Sequence, residues 1–441
     1  MLKIEIPDNN VNEVKYIIGV IFKEFLGINF NISVSNDLDY KIVLPNNNIL
    51  ILNNAFFSKF DKELSYLSIE NIPDKIIFKK LTFKSIQEIA IIYGNSELEM
   101  SENEIYCGLD IFASSFFMLT RWEEYVIKER DKHGRFPSKI SLLQKHNIHY
   151  RAIVNEYVET LWEMLIHLGY KEKRKKQSYN IKITHDIDFF VKYNSLKKYI
   201  KSLGGDIIKR KNPLLTFKTT YEYISSLFNI ENDPYYTYDF LMNESEKLNY
   251  CSTFFFMAGE TKNPDIHYSI NNSKIRELII KIKIKGHNIG LHGTIDSNNN
   301  ETILQHEFEK LNNIYADIIE CRQHFLKFEN PTTWQMYNNI GIKIDNNMGY
   351  ENDFGFRTGV CYSYPAFNII SRNQLNLIIN PLIAMDSTYV YDKKFNENDF
   401  LNKISNISSV IKKYNGTMQL LWHNNNKHLK ITYKSILGII K

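Results

Sequence analysis

The stretch NIKITHDID, residues 180–188, joins an alternating apolar run to a histidine and two carboxylates. The alternation of Ile181 and Ile183 with polar neighbours predicts a β-strand. A strand that ends in acidic side chains carries them to an edge of the fold, where a ligand can reach them. Two carboxylates as close as Asp186 and Asp188 also require a nearby cation, either a metal ion or an arginine. The stretch therefore indicates a site for chemistry, with an ordinary surface turn as the alternative.

Strands and helices alternate along the chain after residue 179. Strand-like runs read STFFFMAG at 252–259, NIGLH at 288–292 and TMQLLWH at 417–423, and helical patterns lie between them. This alternation predicts a parallel sheet with helices outside it, either open or closed into a barrel. In both architectures the chemistry gathers at the carboxyl ends of the strands. Polar residues at those ends are candidates by position alone.

Residues 1–170 predict a separate, smaller α/β domain with no catalytic spacing. Its segment 109–125 is apolar almost all round, which is typical of a buried helix. A further helix over 151–168 is predicted to close the domain. The charged run KEKRKKQS at 171–178 then favours a solvated linker over a nucleic-acid patch, because no aromatic residues are interleaved with it. The second domain is expected to span 179–441.

Length and composition exclude several classes of protein. A chain of 441 residues is expected to form about two domains, at roughly 150 residues each. The formal net charge of +4 is small for this length and does not favour a nucleic-acid partner. The four cysteines have no paired spacing, which argues against a disulfide framework and a cysteine-type zinc site. The N-terminus lacks a signal-peptide pattern and no run reaches about 18 apolar residues, so we expect a cytoplasmic protein without a membrane span.

Three further strand ends carry ionisable side chains. His292 and Asp296 follow the strand in GHNIGLHGTID, Arg322 and His324 lie in ECRQHF, and His423 follows an apolar strand in LLWHN. A hydrolytic metal site needs about three nitrogen or oxygen ligands, an open position, and an acid and a base nearby. A lone histidine after an apolar strand is more often structural than catalytic. The coincidence of four clusters at successive strand ends favours the catalytic interpretation.

The order and spacing of these motifs resemble those of the polysaccharide deacetylases, the NodB-homology carbohydrate esterases that remove acetyl groups from sugars. The family's Thr-x-Asp-x-Asp motif is similar to Thr184, Asp186 and Asp188. The runs STFFF and GHNIGLH resemble its Ala-Thr-Phe-Phe strand and its Gly-His-Glu-Ile-Gly-x-His motif. RQHF stands where the family has Arg-x-Pro, and LLWHN stands for its closing Leu-x-x-His. The resemblance covers roughly residues 180–430.

The resemblance implies a distorted (β/α) barrel for the C-terminal domain and a metal-assisted mechanism. It implies that Asp186 is the general base, that Arg322 orients Asp186, and that His423 is the general acid. Asp188 and His292 are implied as metal ligands. The N-terminal region resembles an uncharacterised domain that precedes the deacetylase domain in one bacterial subfamily, and no role is implied for it.

The chain departs from the family pattern at two positions. The family's second metal histidine lies four residues after the first, where this chain has Asp296, and the family's Arg-x-Pro proline is replaced by His324. Asp296 can bind zinc through oxygen, or His324 can reach the metal from the neighbouring strand end, or the site has lost its metal. A second anionic ligand would weaken the Lewis acid, so our hypothesis places His324 within reach of the metal, as a ligand or as a donor to the oxyanion, and makes Asp296 secondary.

The expected function is a metal-dependent hydrolase that removes the acetyl group from an N-acetylated sugar, in the synthesis of a surface-glycan precursor. The expected cofactor is a divalent metal ion, with zinc favoured by mixed nitrogen and oxygen ligands. Trp334, Tyr350 and Trp422 are candidates for stacking on a sugar ring, although aromatic residues are core by default. Two alternatives stay open: an amidase acting on a non-sugar acyl-amide, and a metal-free carbohydrate-binding pseudoenzyme. The sequence indicates no oligomeric state.

Overall fold

The computed structural model describes residues 1–80, 88–260, 265–391 and 396–441. Its chain forms two compact units. The first unit comprises residues 1–180, 325–384 and 406–418, and the second comprises residues 181–324, 385–405 and 419–441. The first unit therefore takes in two segments that lie within the predicted second domain.

Strands and helices succeed one another along the chain with these bounds. The strands are β1 Leu2–Pro7, β2 Phe30–Ser35, β3 Tyr40–Val43, β4 Ile49–Leu52, β5 Ile77–Lys79, β6 Ile89–Ile91, β7 Gly94–Met100, β8 Glu104–Leu109, β9 Asn180–Ile187, β10 Ser252–Phe256, β11 Asn288–Gly293, β12 Glu320–Gln323, β13 Ile344–Asp345, β14 Tyr364–Asn368, β15 Asn373–Ile379, β16 Ala384–Met385 and β17 Thr417–Leu421. The helices are α1 Val11–Ile18, α2 Ile111–Thr120, α3 Trp122–Val126, α4 Leu142–Lys145, α5 Ile153–His167, α6 Leu196–Gly204, α7 Pro213–Phe228, α8 Tyr238–Glu246, α9 Ser273–Ile284, α10 Glu301–Asn312, α11 Thr332–Ile340, α12 Asp386–Tyr391, α13 Glu397–Tyr414 and α14 Lys430–Ile440.

The first unit is built on a mixed sheet with the strand order β2-β1-β3-β4-β8-β7. Strand β1 pairs in parallel with β2 and antiparallel with β3, and β4 pairs in parallel with β8. Every residue of α2 is buried, as its apolar sequence predicts. Asp110 caps this helix by accepting a hydrogen bond from the backbone N–H of Ala113. The prediction of a buried helix in this segment is confirmed.

Buried ion pairs hold residues 325–384 in the first unit. Arg372 donates two hydrogen bonds to the carboxylate of Glu13, at 2.8 and 2.9 Å. Arg357 binds Glu124 in the same bidentate way, at 2.9 and 2.6 Å. Removing one partner of a buried pair leaves an uncompensated charge, which is strongly destabilising. The N-terminal segment and residues 325–384 are therefore parts of one folded body.

The second unit carries a parallel arrangement that positions the candidate site. Strand β9 pairs in parallel with β10, β10 with β11, and β11 with β12. The strand order continues from β9 to β17 and β16. The strands are buried along nearly their whole length, which is expected for a parallel sheet covered on both faces. The second unit is thus a mixed α/β structure whose strand ends meet at one edge.

The predicted strands near 180, 252, 288 and 417 are confirmed as β9, β10, β11 and β17. The predicted helix over 151–168 is α5, and the helical patterns expected between the strands include α8, α9 and α10. In the segment ECRQHF, strand β12 ends at Gln323 and a short 3-10 turn begins at His324, so the two candidate residues of this segment do not lie on one strand. In the described part of the chain, no helix combines the length and the apolar character needed to cross a bilayer.

Candidate functional site

The carboxyl ends of β9, β11, β12 and β17 bring the candidate side chains together, and His423 lies just beyond the last of them. Asp186 lies in β9 and Asp188 directly follows it, while His292 lies near the end of β11. The parallel register places His292 opposite Arg322 of β12, and His324 follows β12. Because parallel strands end at one edge of a sheet, residues far apart in sequence become neighbours here.

A glycine makes room for the contact between Arg322 and Asp186. In the register, Asp186 faces Phe255 of β10 and Phe255 faces Gly290 of β11. A Cβ at Gly290 would lie 2.5 Å from atoms of the Phe255 ring, so the ring needs a glycine at this position. The Arg322 guanidinium lies over that ring, 4.6 Å from its centroid. It donates hydrogen bonds to Asp186 at 2.8 Å and to the hydroxyl of Thr184 at 3.0 Å.

Three imidazoles face the carboxylate of Asp188. The Nε2 atom of His292 lies 3.2 Å from Oδ1 of Asp188, and the Nε2 atom of His324 lies 3.8 Å from the same oxygen. The Nε2 atom of His423 lies 3.8 Å from the other oxygen, Oδ2. One carboxylate therefore presents Oδ1 to two histidines and Oδ2 to a third.

Each of the first two imidazoles is oriented through its other ring nitrogen. Nδ1 of His292 lies 2.8 Å from the backbone carbonyl of Arg322, to which its N–H donates. Nδ1 of His324 lies 2.5 Å from Oδ1 of Asp265, whose other oxygen accepts a hydrogen bond from the backbone N–H of Ile295. Such partners fix the tautomer and the ring orientation of histidines that bind metals through Nε2.

The third imidazole has a dedicated carboxylate. Nδ1 of His423 lies 2.6 Å from Oδ1 of Asp386, and the backbone N–H of His423 donates to Oδ2 at 2.8 Å. The side chain of Asn426 donates to the same oxygen at 2.5 Å. Asp386 is fully buried, so its charge acts on His423 with little screening by water.

The carboxylates of the site are held ionised. Burial alone would raise the pKa of Asp188, but the imidazole of His292 at 3.2 Å and the charges of His324 and His423 outweigh it and hold the pKa well below its usual range. Burial would likewise raise the pKa of Asp186, and the neighbouring Arg322 guanidinium lowers it. Both side chains are therefore acceptors of protons or ligands of cations at neutral pH.

His423 and His292 both have a raised pKa, which favours their protonated forms when no other cation is near. Burial would lower the pKa of His423, but the charge and hydrogen bond of Asp386 raise it to about 10. The pKa of His292 is also raised, because the charges of Asp186 and Asp188 outweigh its burial. By contrast, burial lowers the pKa of His185 to about 4. His185 is fully buried and hydrogen-bonds the carbonyl of Trp422 through Nδ1, so it is a neutral structural histidine.

Asp188, His292 and His324 meet the requirements of a metal site. One ligand atom from each lies within 4.8 Å of the other two. Nε2 of His292 and Oδ1 of Asp188 are buried without a hydrogen bond, although 3.2 Å separates them. Two ligands about 2.0–2.1 Å from a tetrahedral ion lie about 3.3 Å apart, so this spacing fits a shared zinc-like ion. Two imidazoles and one carboxylate would leave a position open for water or substrate.

The other predicted site residues lie elsewhere or play a different part in the packing. Asp296 is exposed and is not in the group that could hold an ion. Trp334 is fully buried in the first unit, where its indole N–H donates to Asp345 at 3.0 Å. Tyr350 is buried in the same unit, and Trp422 is buried against Tyr433 in the second. Contact of these aromatic residues with a sugar stays a prediction.

Asp265 and Asp386, the partners of two site histidines, are not among the residues predicted from the sequence. Asp386 follows the apolar run PLIAM at 381–385 and the short strand β16, so the strand-end rule that locates the other clusters could have found it. Asp265 lies in a turn and no local pattern distinguishes it. Its position beside His324 arises only from the fold.

Known proteins show limited similarity to this chain. Residues 2–170 match a family described as one of unknown function, DUF7033. No curated protein matches the chain. A crystal structure from Mycobacterium smegmatis, provisionally described as a polysaccharide deacetylase, is similar at 12% identity, over 60% of this chain and 85% of that one, with a TM-score of 0.38. A likeness of this size does not establish the fold or the function of this chain, so a functional assignment has to rest on the geometry of the site.

Proposed function

We propose that this protein is a metal-dependent hydrolase that removes the acetyl group from an N-acetylated sugar. The observation that carries the proposal is the division of three imidazoles around Asp188. Two of them share Oδ1 of Asp188 and could hold an ion with it, while His423 lies on Oδ2 and is bound to Asp386. A hydrolytic site needs this separation of ion-binding groups from a proton donor.

Asp188, His292 and His324 would hold the ion, and zinc is the expected metal for a mixed set of nitrogen and oxygen ligands. When bound, such an ion supplies a Lewis acid that polarises the acyl carbonyl and lowers the pKa of water. Asp296 is proposed to act outside the ligand set, since it is exposed. This set has one anionic ligand, which preserves more positive charge at the ion than two would.

Asp186 is proposed as the general base. Its carboxylate lies 3.7 Å from Nε2 of His292, so it faces the same space as the ligand atoms. The hydrogen bond from Arg322 occupies Oδ1 and keeps the group ionised, which leaves Oδ2 to accept the proton of an attacking water. Arg322 thus orients the base without facing the substrate, since it is fully buried.

His423 is proposed as the general acid. Because Asp386 raises its pKa to about 10, the imidazole carries a proton on Nε2 throughout the neutral range. That nitrogen is the one directed towards Asp188 and the ligand atoms. It is placed to protonate the departing amine of the sugar when the carbon–nitrogen bond breaks.

Several finer points belong to the same proposal. We propose that the second unit is a distorted (β/α) barrel and that the substrate is a precursor of a surface glycan in the cytoplasm. The predicted boundaries 1–170 and 179–441 are kept as divisions of the sequence, while residues 325–384 fold with the first unit. The role of residues 1–170 is left open, because neither the site nor the family that matches them indicates one.

The test is metal content together with acetate release. The purified protein should contain about one divalent ion per chain by mass spectrometry and should release acetate from N-acetylated sugars, and a chelator should abolish both. Asp188→Asn and His292→Ala should lose the ion and stay folded by circular dichroism, whereas Asp353→Asn, in an aspartate–histidine pair of the first unit, should keep it. A protein without metal that binds sugars would support the pseudoenzyme instead. Hydrolysis of non-sugar amides alone would support the amidase.

A further inference from the structure

Residues 196–228 form a helical hairpin in the second unit, a few residues after Asp188. It consists of α6, a π-helical turn over Gly205–Lys209, and α7. Asn212 caps α7 by accepting hydrogen bonds from the N–H groups of Leu214 and Leu215, and a proline occupies the first turn. We call this segment the 196–228 hairpin.

The apolar stripe of the 196–228 hairpin faces outwards. Along α7, Leu214, Phe217, Tyr221, Ile224 and Phe228 recur every three or four residues and all are exposed. Phe217 is 74% exposed and Phe228 is 86% exposed. Along α6 and the turn, the exposed apolar residues are Leu196, Ile200, Ile207 and Ile208. A stripe with this spacing normally faces the core of its own domain, and a contiguous exposed apolar face marks an interaction surface.

The side chains that pack between the two helices of the hairpin are polar and aromatic instead. The rings of Tyr199 and Tyr223 stack with centroids 4.1 Å apart and an interplanar angle of 8°. The Tyr199 hydroxyl lies 3.1 Å from that of Thr220, and the Thr219 hydroxyl donates to Asp206 at 2.6 Å. These contacts fix the two helices against each other. Because these contacts set how the two helices pack, they also keep the aliphatic side chains on the outer face of the hairpin.

The hairpin also has a surplus of positive charge. Its basic residues are Lys197, Lys198, Lys201, Lys209, Arg210, Lys211 and Lys218, against the acids Asp206 and Glu222. Both acids are already paired, Asp206 with Arg210 and Glu222 with Lys192 at 3.2 Å. The hairpin therefore carries a net positive charge, which favours binding to an anionic surface.

A cavity of about 500 Å³ opens beside the hairpin, and part of this charge lines it. Its walls include Lys198, Lys201 and Lys209 from the hairpin, and Phe189, which directly follows Asp188. A cavity with several basic side chains suits phosphate oxygens. Ile208, one of the exposed apolar residues of the hairpin, lines the same cavity, so basic and apolar side chains adjoin on this part of its surface.

We propose that the 196–228 hairpin binds the surface of a membrane that contains anionic lipid. An exposed stripe of leucine, isoleucine and phenylalanine beside lysine-rich positions is the composition of helices that lie in the membrane interface. The 16-residue α7 carries Lys218 and Glu222 along its length, so it would lie in the plane of the interface. A second copy of the chain is the competing occupant of the stripe, and the positive charge of the hairpin would oppose that association.

The experiment is co-sedimentation of the full-length protein with vesicles. We expect binding to vesicles of phosphatidylcholine mixed with phosphatidylglycerol, much weaker binding to phosphatidylcholine alone, and release by salt. Phe217→Ser with Phe228→Ser should lower partitioning to the mixed vesicles by about tenfold or more. The matched control is Ile284→Ser with Ile431→Ser, which removes two equally exposed apolar side chains elsewhere in the second unit and should change nothing.

A charge variant completes the design. Lys209→Glu with Lys218→Glu should abolish the preference for phosphatidylglycerol, whereas Lys274→Glu with Lys283→Glu, on α9, should keep it. The proposal is overturned if the wild-type protein ignores the mixed vesicles or if the hairpin variants bind as well as it does. It is also overturned if sedimentation velocity shows a dimer that the phenylalanine variant dissociates while vesicles stay unbound. None of these measurements needs the metal or a substrate, so their outcome is separate from that of the proposed hydrolase.

Discussion

Replacement of Asp386 by asparagine is the sharpest test of the proposed acid. The change keeps the shape of the side chain and removes the charge that lies 2.6 Å from Nδ1 of His423. That charge is the main influence that raises the pKa of His423 to about 10 against the effect of burial. Without it the pKa should fall towards the ordinary imidazole value of about 6.5.

The magnitude depends on the protonated fraction of His423. A raised pKa keeps the acid protonated below it, so the wild-type rate should fall only as the pH approaches about 10. In Asp386→Asn about one imidazole in thirty would be protonated at about pH 8, so kcat should drop about thirtyfold there and less than about twofold near pH 6. The alkaline limb of the pH profile should therefore move to lower pH.

The assay is acetate release at saturating metal and substrate across the pH range. The matched control is Asp353→Asn, because Asp353 also pairs with a histidine, His149, at 3.2 Å in the first unit. Its profile should overlay that of the wild type. An unchanged alkaline limb in Asp386→Asn, with metal content intact, would refute the view that Asp386 sets the protonation of the catalytic acid.

Three further predictions concern the metal set and the fold. His324→Ala should lose its metal, as measured by mass spectrometry, and should lower the rate of acetate release on the order of 100-fold or more. Asp296→Asn should lower that rate far less. The reverse order would place Asp296 at the ion. Gly290→Ala should lower the free energy of unfolding in urea by about 1–3 kcal/mol, because the added methyl group overlaps a buried ring. A fragment of residues 177–441 should fail to fold natively, since Arg372 would lose its buried carboxylate partner; sharp amide resonances from that fragment would contradict this.

The sequence predicts the local structure of the second unit better than its long-range contacts. Alternating apolar residues before Asp186 and around His292 locate β9 and β11, because periodicity is a local signal. The strand-end rule also predicts that their polar residues meet. A ligand position for His324 is one of three alternatives that the sequence leaves open, and the structure places this histidine within reach of Asp188 and leaves Asp296 exposed. The catalytic roles of these residues stay predictions.

Other features could not be predicted because they depend on contacts between distant segments. Nothing near Arg372 in the sequence indicates that its partner is Glu13. Local patterns therefore could not predict that residues 325–384 belong to the first unit. The sequence of the 196–228 hairpin predicts helix but not the direction of its apolar stripe. Its periodicity is the same whether the stripe faces a core or the solvent, and only the packed structure distinguishes the two.

The arrangement of Asp188 between its histidines has a consequence for how the proposed enzyme would respond to the loss of its ion. The carboxylate of Asp188 shares one negative charge between Oδ1 and Oδ2. A cation bound near His292 would therefore weaken the attraction between Asp188 and the protonated His423. Asp386 contacts Nδ1 of His423, whereas Asp188 faces Nε2 on the other side of the ring. Under the proposed roles, one carboxylate would hold the metal and another would hold the proton of the acid, so that loss of the metal would leave His423 protonated.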